Sequence, residues 1–230
     1  MKKALITGTS RGIGKAIAEK LLDRGWEVTG ISRSDPTIAH SRYSHDSIDL
    51  NNLNDLPQKF KALLKETPNF DALICNAGMG VFGHLEELSF DRIQEVIRVN
   101  FLSQVLLIKT FLPNMKKLKR GHIISIGSEA ALEGKRKGTI YCASKFAVRG
   151  FTQALRQECA SDGIGVTLIN PGMVDTPFFE SLNFCHGDAH DESISPDDVA
   201  ESVSMILETR KGTVFDEINL SPQKHKVVFK

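Results

Sequence analysis

Tyr141 and Lys145 stand four apart in Tyr141-Cys142-Ala143-Ser144-Lys145. On a helix, positions i and i+4 share a face. A free phenol, with a pKa of about 10, is poorly matched to proton transfer near neutrality. A nearby ammonium favours the phenolate and lowers that value. Such a pair can give a proton to a developing alkoxide or take one from an alcohol. Alone it says little, because surface helices carry many such pairs. Its company sharpens it. Ser128 lies 13 residues earlier, after an apolar run, and its hydroxyl could polarise a carbonyl as an oxyanion donor. Asn100 sits within the apolar stretch Val99-Asn100-Phe101. A buried amide needs partners. This one could hold a water that relays protons to Lys145, or satisfy a local backbone break. Cys142 adjoins Tyr141, but no low-pKa setting for it can be argued from sequence.

A second constellation lies near the N-terminus. Thr7-Gly8-Thr9-Ser10-Arg11-Gly12-Ile13-Gly14 follows the apolar run Ala4-Leu5-Ile6 and leads into a helical pattern. Glycines there permit a tight turn and let backbone N–H groups approach a pyrophosphate. The helix N-terminus adds its positive end. The spacing is Gly-x3-Gly-x-Gly rather than the commoner Gly-x-Gly-x2-Gly. A site for NAD usually has an acid roughly 20 residues on, which holds the ribose 2′-hydroxyl. Here Arg33, 19 residues after Gly14, stands within Ile31-Ser32-Arg33-Ser34. A guanidinium instead suits a 2′-phosphate. Arg11 offers a second cation, and Ser32 and Ser34 further donors. The expected cofactor is NADP(H), and no metal is expected.

These residues need a frame, and short apolar runs alternating with helical patterns supply it. Ile13, Ala16, Ile17 and Leu21 follow the first run at helical spacing, and Val28 to Ile31 reads as a strand. Ala72 to Ile74, Ile123 to Ile126 and Val166 to Ile169 are further strands. Helices are expected from about Phe90 to Phe111 and from Tyr141 to about Cys159. Such alternation predicts a single α/β domain, a doubly wound parallel sheet with helices on both faces. Residues 177–196, with Phe178, Phe179, Leu182 and Phe184 among polar neighbours, follow the fifth run. Ligands gather at that end of such sheets, so the segment is expected to be a lid.

Composition bounds the partners. The 230 residues carry 29 basic and 28 acidic side chains, a net charge of +1, which argues against a nucleic-acid or membrane surface. Lys116-Lys117-Leu118-Lys119-Arg120 reads as a solvated helix C-terminus. No stretch approaches the roughly 20 apolar residues of a membrane span, and no signal-peptide pattern is visible. Cys75, Cys142, Cys159 and Cys185 lack CxxC spacing and read as reduced thiols of a cytoplasmic protein.

Taken in order, the motifs resemble the short-chain dehydrogenase/reductase family along nearly the whole chain, from Thr7 to about Leu220. The glycine turn, Asn76-Ala77-Gly78, the set Asn100, Ser128, Tyr141 and Lys145, and Pro171-Gly172-Met173-Val174-Asp175-Thr176 match its pattern. Asp49-Leu50 resembles the pair that contacts adenine. The resemblance implies a Rossmann-like fold of about seven parallel strands and hydride exchange between a nicotinamide and a carbonyl or alcohol. It implies that Tyr141 is the acid/base and that Lys145 binds the nicotinamide ribose and lowers the tyrosine pKa. Asn76-Ala77-Gly78 would support the sheet beside the cofactor, while Pro171, Gly172, Val174 and Thr176 would lie against the nicotinamide. Cys75, Ser125 and Gly127 depart from common family residues without removing a catalytic group. The C-terminus, Ser221 to Lys230, departs more, which puts the usual tetramer contact in doubt. A homodimer through the helices bearing Asn100 and Tyr141 is expected instead.

The leading expectation is a carbonyl reductase acting on a small carbonyl or alcohol. One alternative is an NADP-dependent 3-hydroxy acid or hydroxy amino acid dehydrogenase, which needs a cation for the carboxylate. Arg149 follows Lys145 by one turn, and Lys135-Arg136-Lys137 precedes Tyr141. The latter reads as a solvated basic loop, and Glu129 would repel a carboxylate if it points inward. A non-catalytic NADPH-sensing module is another alternative, although such relatives usually lose the tyrosine or lysine. A carrier-protein-linked acyl reductase would need a basic docking patch.

Overall fold

The computed structural model describes residues Met1 to Lys230. Seven strands form one parallel sheet: β1 Lys3–Thr7, β2 Glu27–Ser32, β3 Tyr43–Ser47, β4 Ala72–Cys75, β5 Gly121–Ile126, β6 Ile164–Pro171 and, after a short strand β7 Phe184–His186 outside the sheet, β8 Glu217–Leu220. Their order is β3-β2-β1-β4-β5-β6-β8. The chain therefore winds outward in both directions from β1 and β4. A crevice opens at such a switch point, beyond the carboxyl ends of the strands.

Strand side chains alternate between faces. Ala4 and Ile6 join one core layer with Ile17 and Leu21 of α1 (Gly12–Asp23) and Val199 and Val203 of α6 (Pro196–Glu208). Leu5 points the other way. It joins Leu73 and Ile123 beneath Phe60 of α2 (Leu56–Glu66), Phe111 of α4 (Ser103–Leu118) and Leu155 of α5 (Thr139–Cys159). The two layers make the doubly wound arrangement expected from the alternation. The edge strand β3 is polar and half-exposed, so it carries no apolar run to betray it.

The long helix expected from Phe90 extends to Leu118. It comprises α3 (Phe90–Ile97), one wide π turn (Arg98–Leu102) and α4. By length and composition it is apolar enough to cross a membrane, against the expectation from sequence. Here Leu107, Ile108, Phe111 and Met115 seat it on the sheet. β8 pairs with β6, as Glu217↔Leu168 through Leu220↔Pro171. Beyond it the C-terminal tail forms β9 (Val227–Phe229), which pairs antiparallel with β7, Phe184 opposite Phe229. The tail thus doubles back onto the segment expected to be a lid.

Candidate active site

Of the site residues expected from sequence, all but Gly14 and Asn100 border one cleft of about 760 Å³. It runs from Arg33, Asp49 and Leu50 past the glycine turn to Ser128 and Tyr141.

The turn is fixed by close backbone packing. Gly8 has φ +78°, and a Cβ there would come within 2.8 Å of the Asn76 amide nitrogen. A Cβ on Gly14 would lie 2.1 Å from the Gly8 carbonyl oxygen. Gly14 is therefore not a wall of the cleft but the residue that lets α1 start so close to the turn. Asn76 ties β4 to this turn. Its Nδ2 donates to the carbonyls of Thr7 and Gly8 at 3.0 and 3.2 Å. The Asn76 and Ala77 N–H groups both donate to Thr7 Oγ1 at 3.1 Å. Thr176 closes over the turn from the other side, its Cγ2 3.1 Å from where a Gly12 Cβ would sit. Pro171, Gly172 and Val174 lead up to it along the cleft.

At the far end Arg33 is exposed and enters no ion pair. The Ser32 hydroxyl, offered as a further donor, is already engaged with the Ser34 carbonyl at 2.7 Å and the His45 ring at 2.9 Å. Arg11 pairs with Glu180 of the lid at 3.2 Å, so its charge is shared. Asn51, which the sequence did not mark, borders the cleft beside Asp49 and Leu50 with a buried, unpartnered Oδ1. A cradle without side chains, a free guanidinium and a buried acceptor seeking a donor fit a phosphorylated adenine dinucleotide.

At the sheet's carboxyl end, Ser128 follows β5 and Tyr141 and Lys145 project from α5. Lys145 Nζ donates to the Ile126 carbonyl at 3.1 Å and lies 5.8 Å from the Tyr141 ring centre. Ser128 Oγ accepts from the Ala130 N–H at 3.1 Å. Its own N–H donates to Asn170 Oδ1 at 3.4 Å. Asn170 is buried, unmarked by any motif, and donates in turn to Glu217 and Asn219 at 2.9 Å. A Cβ on Gly127 would meet that same Oδ1 at 2.2 Å, which explains why a larger residue is absent there.

The electrostatics correct one expectation. Burial pushes the Tyr141 phenol up to about 12, against a smaller downward pull from the Ser128 hydroxyl. Burial lowers the Lys145 ammonium to about 8. In the ligand-free protein burial dominates at both groups, and the phenol lies above its ordinary value rather than below it, against the expectation from sequence.

Asn100 lies behind the cleft, in the π turn. Its Oδ1 accepts from the Met79 N–H at 2.8 Å, and its Nδ2 donates to the Met79 carbonyl and Ser144 Oγ, both at 3.0 Å. Ser144 Oγ donates to the Tyr141 carbonyl at 2.7 Å. The Asn100 carbonyl, which the wide turn frees, accepts from the Gln104 side chain. Asn100 thereby links α4 to the helix turn that carries Tyr141 and Lys145.

The basic loop is exposed, as expected, and it also reaches the cleft. Lys135, Arg136 and Lys137 all border the cleft, with Lys135 paired to Glu133. Arg149 points elsewhere, to Glu217 at 3.1 Å. Glu129 borders the cleft and pairs with His225 of the tail at 3.2 Å. The tail is joined to residues 177–196 by Lys224–Asp191 at 2.7 Å, Lys226–Glu192 at 3.0 Å and Lys230 Nζ to the Phe179 carbonyl at 2.8 Å.

A parallel sheet wound from a glycine turn, with a tyrosine–lysine pair at its carboxyl end, defines a class of nucleotide-dependent oxidoreductases. The family model for short chain dehydrogenases matches residues 2–184. The chain is 35% identical over 186 residues to the 3-oxoacyl-(acyl-carrier-protein) reductase FabG of Buchnera aphidicola, covering 78% of this chain and 76% of that one. The alcohol dehydrogenase of the archaeon Thermococcus sibiricus, solved with 5-hydroxy-NADP, superposes with a TM-score of 0.88 at 30% identity, covering 98% of this chain and 99% of that one. A metagenomic short-chain oxidoreductase in complex with NADP gives 0.82 at 28% identity, over 96% of each. The chain belongs to the short-chain dehydrogenase/reductase family.

Proposed function

We propose that this protein is an NADP(H)-dependent carbonyl reductase in which Tyr141 is the acid/base. One observation carries this reading: the glycine turn, Arg33, Ser128, Tyr141 and Lys145 border a single cleft. Solved relatives holding NADP or its 5-hydroxy derivative support the choice of cofactor.

Gly8, Ser10, Gly12 and Ile13 would receive the pyrophosphate, Arg33 the 2′-phosphate, and Asp49, Leu50 and Asn51 the adenine. Asn76, Ala77 and Gly78 would hold the middle of the cofactor, and Pro171, Gly172, Val174 and Thr176 the nicotinamide end. When bound, NADP(H) supplies or accepts the hydride. Ser128 donates a hydrogen bond to the substrate oxygen and holds it before Tyr141. Tyr141 transfers its phenolic proton to that oxygen as negative charge grows on it. The Lys145 ammonium stabilises the phenolate left behind. A phenol held near 12 is a reluctant donor on its own, so the positive charge beside it is required. Asn100 is a positioning residue that sets α5 through Ser144. Residues 177–196 act as the lid. Four unpaired thiols suit a reducing, cytoplasmic setting. Exposed Leu102 and Phe146 suit a homodimer built on the long helices.

The test follows NADPH absorbance with a panel of aldehydes, ketones, diketones and 3-oxo acids, with NADH alongside. Turnover with NADPH that disappears in Tyr141→Phe is expected. Equal use of NADH would overturn the cofactor assignment, and unchanged turnover in the variant would overturn the role of Tyr141. A 3-hydroxy acid dehydrogenase is the second reading. The presence of Arg136 and Lys137 in the cleft wall favours it, because either could meet a carboxylate.

A further inference from the structure

The cleft wall nearest Tyr141 is built from rings. Phe82 lies 5.1 Å from Tyr141 between ring centres, Phe184 lies 4.9 Å from Phe82, and Phe179 lies 5.9 Å from Phe184. Phe178 lies 5.2 Å from Phe179 and 6.1 Å from Tyr141. The five rings therefore form a closed circuit in which Tyr141 is one member. They come from three separate places: the loop after β4, the start of α5, and the lid. Gly80 lets two of them approach, since a Cβ there would lie 2.6 Å from Phe178 and 2.8 Å from Phe82. The contacts are edge-on or tilted, the geometry aromatic rings prefer with one another. All four phenylalanines border the cleft.

Charge is distributed differently. Carboxylates and cations both reach the cleft, but Lys135 is neutralised by Glu133, and Glu129 is paired with His225. None of the rings in the circuit carries a charge. Arg136 and Lys137 border the cleft without an ion pair, but both are exposed; a small carboxylate pressed among the rings themselves would lose its hydration, which is costly.

We propose that the substrate carries an aromatic or comparably broad apolar group directly beside the reacting carbonyl, and that Phe82 and Phe178, the two rings that touch Tyr141, set this preference. The proposal rests on the carbonyl-reductase reading and deepens it. The ring circuit opens to admit the substrate's flat group, and the lid's Phe179 and Phe184 close behind it. The reacting oxygen is then left facing Tyr141 and Ser128.

The test compares kcat/KM with NADPH for a matched set: 1-phenyl-1,2-propanedione, 2,3-butanedione and 3-oxobutanoate. Replacing methyl by phenyl is expected to raise kcat/KM roughly 10–100-fold, the range that burying a group of that size supports. Phe178→Leu and Phe82→Leu, checked for NADPH affinity and Tm, are each expected to shrink the ratio several-fold through KM rather than kcat. Equal or better use of 2,3-butanedione or 3-oxobutanoate would overturn the substrate class while leaving the carbonyl-reductase reading intact. A ratio unchanged in both variants would overturn the assignment to these two rings. NADPH binding with no turnover of any carbonyl would overturn the underlying reading itself.

Discussion

The two ends of the cleft are held by different forces. Around the glycine turn, backbone is packed against backbone and short neutral side chains: Gly8 against the Asn76 side-chain amide, Gly14 against the Gly8 carbonyl, and the Thr7 hydroxyl shared by two N–H groups. These contacts are short and mostly buried, and none depends on a flexible side chain's charge. Over Tyr141, residues 177–196 and the tail are held by a three-residue ribbon, two ion pairs whose lysine ends are exposed, and ring edges. Such ion pairs are weak and screened by salt. The glycine-turn end of the cleft is thus fixed by the fold, and on the proposed reading the Tyr141 end is the one that opens.

That contrast can be broken at several points. The largest effect is expected at Arg33. Arg33→Ala removes the free guanidinium and should weaken NADPH binding about 10–100-fold, since a hydrogen bond to a charged group contributes about 1.5–3 kcal/mol. NADH affinity should stay put, and fluorescence titration of both cofactors checks it. Next, Asn100→Ala leaves Met79's N–H and carbonyl without their buried partner. A loss of about 1–3 kcal/mol is expected, seen as a fall in Tm by calorimetry.

A third effect is in pH. Lys145 is lowered to about 8 when folded, so above that pH the unfolded chain binds more protons than the folded one. Its contribution to stability therefore rises from pH 8 towards 10, by at most about 1.4 kcal/mol per unit, while Cys75, which burial pushes up to about 12, opposes it above about pH 9. Tyr141, raised to about 12, acts with the opposite sign only above about pH 10. Urea unfolding between pH 8 and 9 should show the rise in the native chain and a flatter profile in Lys145→Met. The smallest effect on stability belongs to the tail. Lys224→Ala removes the exposed pair with Asp191 and should leave Tm nearly unchanged while raising KM for the carbonyl. A large fall in Tm would mean that the lid side is as integral to the fold as the turn.

The same contrast decided what could be read in the sequence. The glycine turn and the Tyr-x3-Lys pair are local, so their spacing encodes their geometry. The apolar strands announced themselves for the same reason. β3 did not, because an edge strand of Tyr43-Ser44-His45-Asp46-Ser47 has no buried face to pattern. The ring circuit draws on Phe82, Tyr141 and Phe178 to Phe184, far apart in the chain, and no spacing rule joins them. Asn170 and Asn51 were equally silent, each polar residue gaining its meaning from neighbours brought by the fold. The pairing of the tail with the lid was hidden too, since Val227-Val228-Phe229 alone does not name its partner. The basic loop before Tyr141 was legible as solvated, but that its three cations also border the cleft was hidden, because the cleft is assembled from distant segments.

The account turns on Tyr141, and following deuterium tests it most directly. With NADPH deuterated at the transferable position and 1-phenyl-1,2-propanedione, the wild-type chain should yield an alcohol carrying deuterium on the former carbonyl carbon. Tyr141→Phe should bind NADPH as tightly and form that product at least about 100 times more slowly, the lower end of what general acid catalysis contributes. Labelled alcohol formed equally fast by the variant would contradict the assignment of Tyr141 as the proton donor.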